Sequence, residues 1–129
     1  MQLQKSTEST LIDANVILRY ILNDNEEMAQ KAQKVISAGA YTLSEVLAEV
    51  AYVMTKVYSA SRTDVAEYLL NILEDVHVSP YPVMKEAIEI YRESKLDFVD
   101  CIIAAYHKVE EVKVFTFDKQ LNKLLVRQQ

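Results

Sequence analysis

The sequence predicts an α/β fold: a mainly parallel central sheet of about four to five strands, flanked by helices in three layers. Two observations carry the prediction. Short apolar, β-branched runs alternate along the chain with longer segments whose apolar residues recur every three or four positions. One glycine and two prolines in 129 residues leave little room for the many tight turns of a β-sandwich. With 50% hydrophobic and 26% charged residues, the composition is that of an ordinary soluble globular protein. One domain over 1–129 follows, with 1–8 as a flexible N-terminal extension.

Residues 9–13, STLID, read as the first strand. Val16, Ile17, Tyr20 and Ile21 then give a first helix its apolar stripe. A second helix fits 25–38 and ends at Gly39, a plausible C-cap. A brief strand at 40–42 leads into a long helix over roughly 43–58, where Thr42 and Glu45 have the spacing of a capping box. Ser61 or Thr63 starts the next helix, with Val65, Leu69 and Ile72 or Leu73 on its buried stripe. VHVS at 76–79 is a third strand; Pro80 and Pro82 mark the turn into a helix over 83–94. A helix from about 97 to 109 follows. VKVFTF at 112–117, apolar on both faces, has the pattern of a central parallel strand, and DKQLNKLLVR closes the chain as a helix.

Composition also excludes whole classes of function. The single Cys101 cannot form an intramolecular disulfide, and nothing points to an oxidising compartment. No apolar stretch has the form of a signal peptide or reaches the about 20 residues of a membrane span, so the expected location is cytoplasmic. A lone glycine cannot build the phosphate loop of an ATPase or a dinucleotide-binding turn. The net charge of −5 argues against a simple nucleic-acid clamp. Five acids, Asp13, Glu49, Asp97, Asp100 and Asp118, nevertheless change that picture. Setting them aside from the 19 acidic residues leaves 14, equal to the 14 Lys and Arg. The excess charge can therefore sit in one place, where bound divalent cations would reverse its effect on a phosphate.

Asp13 and Asp118 close strand-like runs, the sheet edge at which open α/β folds place their chemistry. Asp97 and Asp100 share one face at a helix start. Glu49 stands in a helix among Leu47, Ala48, Val50, Ala51 and Val53, where a buried lone carboxylate would need a partner or a metal. All but Asp13 have a structural alternative. Asp97 and Asp118 precede helices and are candidate N-caps, Asp100 is a further capping candidate, and Glu49 fits a solvated face shared with Glu45 and Lys56. Clustered carboxylates without Cys or His ligands favour Mg²⁺ or Mn²⁺ and, through them, phosphodiester hydrolysis. Asn15 and Thr116 are supporting candidates that either orient the acids or cap backbone groups.

The segment Leu11-Ile12-Asp13-Ala14-Asn15-Val16-Ile17-Leu18-Arg19-Tyr20 resembles the opening motif of PIN-domain nucleases, especially VapC-type toxins of VapBC toxin–antitoxin modules. Glu49 in LAEVAYVM, Asp100 in DCIIAAY and Thr116-Phe117-Asp118 match the family's later motifs in order, from residue 9 to about 125. The resemblance implies a PIN-like α/β fold and an endoribonuclease. It implies Mg²⁺ or Mn²⁺ held by Asp13, Glu49, Asp100 and Asp118, with Asp97 supplementary, and places these acids in catalysis. Glu45 lies one turn from Glu49; its available capping role makes Glu49 the choice. By the same resemblance a homodimer and a cognate antitoxin protein are implied. A nuclease in RNA processing outside a toxin pair, or a PIN fold that binds RNA or protein without cutting, would carry the same motifs. A phosphorylation-receiver domain would need an acidic pair beside the first strand and a strand-end lysine, and neither is present.

Several other residues have plain readings. Cys101 among Val99, Ile102 and Ile103 is a core residue, His107 a surface one, and His77 a partner in a local hydrogen bond. Tyr52, Tyr58 and Tyr68, at helical spacing, are core or interface candidates, with base stacking the minority reading. Arg19, Lys56, Arg62, Lys95 and Lys119 are scattered in sequence, so an RNA groove cannot be traced from them in one dimension.

Overall fold

Three short strands, β1 (Thr10–Leu11), β2 (Ala40–Thr42) and β3 (His77–Val78), form a parallel sheet in the order β1-β2-β3. They belong to a computed structural model that describes residues 9–128; the extension expected over 1–8 lies outside the described residues. Thr10 stands opposite Ala40 and Leu11 opposite Tyr41. Tyr41 in turn pairs with His77 and Thr42 with Val78. The helices are α1 (Ala14–Leu22), α2 (Glu26–Ala38), α3 (Ser44–Lys56), α4 (Arg62–Asp75), α5 (Tyr81–Glu93), α6 (Phe98–Glu110) and α7 (Lys119–Arg127). The α/β class and the helix-flanked parallel sheet are as the sequence predicts.

Local chemistry explains most of the boundaries. Asp13, Asn25 and Ser61 cap α1, α2 and α4 by accepting a backbone N–H three residues on. Asn23 ends α1 in the left-handed conformation, which its short polar side chain tolerates, and Gly39 at φ 115° ends α2. Pro82 sits in the first turn of α5, where its missing N–H costs nothing. The whole expected stripe of α4 is buried. The main core joins Ile17, Leu47, Met54, Leu69, Met84 and Ile88.

Three expectations differ from the structure. The capping box does not form: Leu43 is the N-cap of α3 and makes no side-chain cap bond. Thr42 is instead buried, and its hydroxyl donates to the Ile12 carbonyl at 2.6 Å. That bond ties the end of β2 to the chain leaving β1, a stronger use for a buried hydroxyl than an exposed cap. Tyr52, Tyr58 and Tyr68 are not in the core but exposed.

The third difference is the strand expected over 112–117. These residues take no part in the sheet, which has three strands among the described residues. Phe115 and Phe117 are 82% and 90% exposed and pack edge-on against each other at 5.1 Å. Side-chain bonds hold both ends of the segment: His107 Nδ1 lies 2.9 Å from the Val112 carbonyl, and Asn122 Nδ2 donates to the Thr116 carbonyl at 2.9 Å. A run apolar on both faces cannot by itself distinguish a central strand from a connection whose ends are fixed this way.

Candidate functional site

Because the three strands are parallel, their carboxyl ends share one edge of the sheet. β1 ends at Leu11, and Asp13 opens α1 two residues later, its Oδ1 accepting the Val16 N–H at 3.1 Å. Asp118 is placed by a helix start rather than a strand end. Its Oδ1 accepts the Leu121 N–H at 2.8 Å, and its own N–H donates to Thr116 Oγ1 at 3.0 Å. Thr116 thus fixes the backbone that carries Asp118. Asn15 is exposed next to Asp13 and bounds the same cavity.

Asp97 occupies the N-cap position of α6 without a side-chain cap bond, and Asp100 stands in the first turn. Burial pushes the Asp100 carboxyl above the usual carboxylate range, and the charges of Asp118 and then Asp97 push it further. The packing of α6 against α7 therefore brings Asp97, Asp100 and Asp118 within electrostatic reach of one another. Among the described residues, every ion pair involves other acids, so none of these carboxylates is directly paired. Like charges crowded together without a directly paired cation favour a proton or a metal ion.

The PIN domain family model matches residues 10–125. The chain belongs to the PIN domain family. This PIN domain is also similar to a protein named VapC ribonuclease from Aquifex aeolicus (strain VF5). The two are 28% identical over 127 residues, covering 88% of this chain and 90% of the relative. No solved structure matches the chain.

The other two candidate acids of this PIN domain line two different cavities. Asp13 lines a cavity of about 610 Å³ between β1, α1 and α2, together with Asn15, Arg19 and Lys31. Glu49 lines a different one, of about 560 Å³, between α3 and α6. Asp97 lines that second cavity as well, which links Glu49 to the trio. Glu45 bounds neither and accepts a bond from the Ser44 hydroxyl at 3.1 Å. Glu49 is itself exposed, so the cost of a buried lone carboxylate does not arise for it. The four acids Asp13, Glu49, Asp100 and Asp118 are not gathered round one point. Among the described residues no three Asp, Glu, His or Cys side chains stand close enough to hold a single ion.

The donor set still fits a hard divalent cation. Mg²⁺ typically takes one or two carboxylates and completes its shell with water and substrate phosphate. Asp100 and Asp118 supply such a pair, all-oxygen and free of cationic partners.

Sequence reasoning named Arg62 only as one of several scattered basic residues and missed its anchoring role. Its Nε donates to the Tyr91 carbonyl at 2.8 Å and its Nη2 to the Leu96 carbonyl, while the guanidinium lies 3.7 Å over the Tyr91 ring. Arg62 thereby fixes the connection from α5 to α6, and with it the start of the helix that carries Asp97 and Asp100. No local signal marks it, because its partners lie 29 and 34 residues away. Cys101 is in the core as expected, and burial pushes its thiol up to about 11. It is no nucleophile. His77 makes the local bond foreseen, Nε2 to Ser79 Oγ at 2.9 Å.

Proposed function

We propose that this PIN domain is a Mg²⁺- or Mn²⁺-dependent endoribonuclease, a hydrolase of RNA phosphodiester bonds. The supporting observation is the raised, unpaired Asp100 carboxyl beside Asp118 and Asp97. Family membership and the likeness to a protein named VapC ribonuclease support this reaction class. Asp100 and Asp118 would hold the ion, with Asp97 as an additional acid beside them, while Asp13 and Glu49, which line separate cavities, would act on it only through bound water or substrate. Bound there, a divalent ion supplies charge neutralisation for the phosphate and lowers the pKa of attacking water.

The protein's own contribution is positional. Asp118 is held through its capped carboxylate and its Thr116-bound N–H. Asp100 is held by a helix whose start Arg62 anchors. Asn15, exposed beside Asp13 in the same cavity, would hydrogen-bond substrate or water.

The same likeness supports a toxin of the VapBC type, paired with a cognate antitoxin, acting in the cytoplasm as a homodimer. Among the described residues no helix is long and apolar enough to cross a membrane, in keeping with that location.

The reading is tested by incubating purified, partner-free protein with tRNA, rRNA and single-stranded RNA in Mg²⁺, Mn²⁺ or EDTA. Metal-dependent cleavage that vanishes in Asp100→Asn is the expected result. Intact RNA in every metal condition, from a folded protein, refutes it.

A further inference from the structure

We infer that the cavity between α3 and α6 is a nucleotide subsite, in which an unpaired RNA base stacks on Tyr52 while its phosphate meets Lys56, Arg62 and Lys95. The inference rests on the ribonuclease reading and extends it to the substrate's form.

Glu49, Tyr52 and Lys56 fall at spacings of three and four along α3, which places them on one face of the helix. All three line the cavity, whose far wall comes from Asp97 and from Lys95 just before α6. The acidic end adjoins the trio through Asp97, since Asp97 also acts on Asp100. At 1.5 Å of helix rise per residue, Lys56 lies about 10 Å along α3 from Glu49. That is a span on the scale of a nucleotide, not of a single ion.

The charges in this cavity are unusual for so acidic a chain. Lys56, Arg62 and Lys95 outnumber Glu49 and Asp97. Among the described residues neither lysine is paired with a carboxylate. Arg62 gives its hydrogen bonds to two backbone carbonyls, so its positive charge is fixed in the wall without being neutralised. A charge held in this way is preorganised for an anion, and a planar guanidinium suits phosphate.

Tyr52 supplies the other half of the recognition. It is 64% exposed on the rim of a cavity that also contains Tyr91 and Phe98. Tyr91 is no second platform: its ring already carries Arg62, and its hydroxyl lies 2.8 Å from Thr55 Oγ1. Tyr52 has neither tie. An exposed aromatic ring bordered by unpaired cations is the arrangement on which single-stranded nucleic acid stacks, and a base in a duplex cannot reach it.

Fluorescence anisotropy tests the assignment, using a labelled single-stranded RNA oligonucleotide and the full chain carrying Asp100→Asn. Adding Tyr52→Ala should weaken binding about 5- to 150-fold, and Tyr52→Phe should recover most of that loss. Lys56→Ala with Lys95→Ala should lower the slope of log affinity against log salt by about 1.4. Tyr68→Ala, on the exposed face of α4, serves as the control and should bind as its parent does. Cleavage by the unsubstituted chain combined with unaltered binding by Tyr52→Ala overturns the subsite and leaves the ribonuclease reading standing. Tyr52-dependent binding without any cleavage does the reverse. If Tyr52→Ala changes the sedimenting mass but not RNA affinity, this face is a contact between copies of the chain and the subsite is refuted.

Discussion

Asp118 offers the sharpest separation of a structural from a chemical role, because both can be changed independently. Its Oδ1 accepts the Leu121 N–H at 2.8 Å and so caps α7. Alanine removes the cap, at a cost of about 0.5–2 kcal/mol. For a domain of this length that corresponds to a fall in Tm of about 2–10 °C. Asparagine is as good an N-cap as aspartate, so Asp118→Asn should melt within about 2 °C of the parent. The two variants should then agree in the other assay. If Asp118 holds the ion, each loses several kcal/mol of charge stabilisation at the phosphate, a drop of at least about 100-fold in cleavage rate. Thermal melts by circular dichroism and cleavage of a labelled RNA read the two effects separately. An Asp118→Asn protein that cleaves at the parental rate would refute the reasoning and leave Asp118 as a cap alone.

Asp100 makes a prediction in pH. Its folded-state pKa is raised by burial and by Asp118 and Asp97. The stability it contributes is therefore fully present below the unfolded pKa and is lost as pH rises through the folded value. In EDTA at pH 7, Asp100→Asn should melt above the parent, with the gap closing in acid; a parent that melts higher at pH 7 contradicts the assignment. Added Mg²⁺ or Mn²⁺ should raise the parent's Tm and leave that of Asp100→Asn unmoved, a readout independent of cleavage. Arg62→Met removes charge-assisted bonds to two backbone carbonyls and should destabilise by about 2–3 kcal/mol, measured by urea unfolding. Thr42→Val leaves the Ile12 carbonyl without its buried donor and should cost about 1–2 kcal/mol in the same experiment. A neutral result at either position removes the anchoring role argued for it.

What the sequence revealed and what it hid divide along physical lines. Helices announced themselves through local chemistry: Asn25 and Ser61 cap where their neighbours predict, and Gly39 terminates α2. Of the five buried residues of α4, spacing alone marked Val65, Leu69 and the Ile72–Leu73 position, and passed over Ala66. Contacts distant in sequence were not. Thr42 has the spacing of a capping box yet bonds to Ile12, 30 residues away. The same holds for Arg62, and for the meeting of Asp118 with Asp100, which depends on how α7 packs on α6. VKVFTF shows the opposite failure: its pattern is that of a strand, but its two phenylalanines pack on each other in solvent. The stripe Glu49, Tyr52, Lys56 was readable as one face, yet nothing in one dimension placed Lys95 and Arg62 across from it.

The sequence also set capping and ligation against each other as rival explanations of the same aspartates, and the geometry removes that rivalry. A carboxylate has two oxygens and about four lone-pair positions. At Asp13 and at Asp118 only Oδ1 is engaged, by the Val16 and Leu121 N–H groups respectively. Among the described residues no donor takes the second oxygen of either. The cap bond restrains the side chain's rotation, which lowers the entropy lost when the free oxygen later engages an ion or a water. Capping at these positions therefore does not compete with ligation and would preorganise the carboxylate for it. Asp97 lacks such a bond and is free to turn. Its restraint would have to come from the ion itself, so Asp97→Asn should weaken metal-induced stabilisation less than Asp118→Asn. Metal titrations followed by Tm measure that order directly, and an inverted order would show that the restraint is irrelevant to binding.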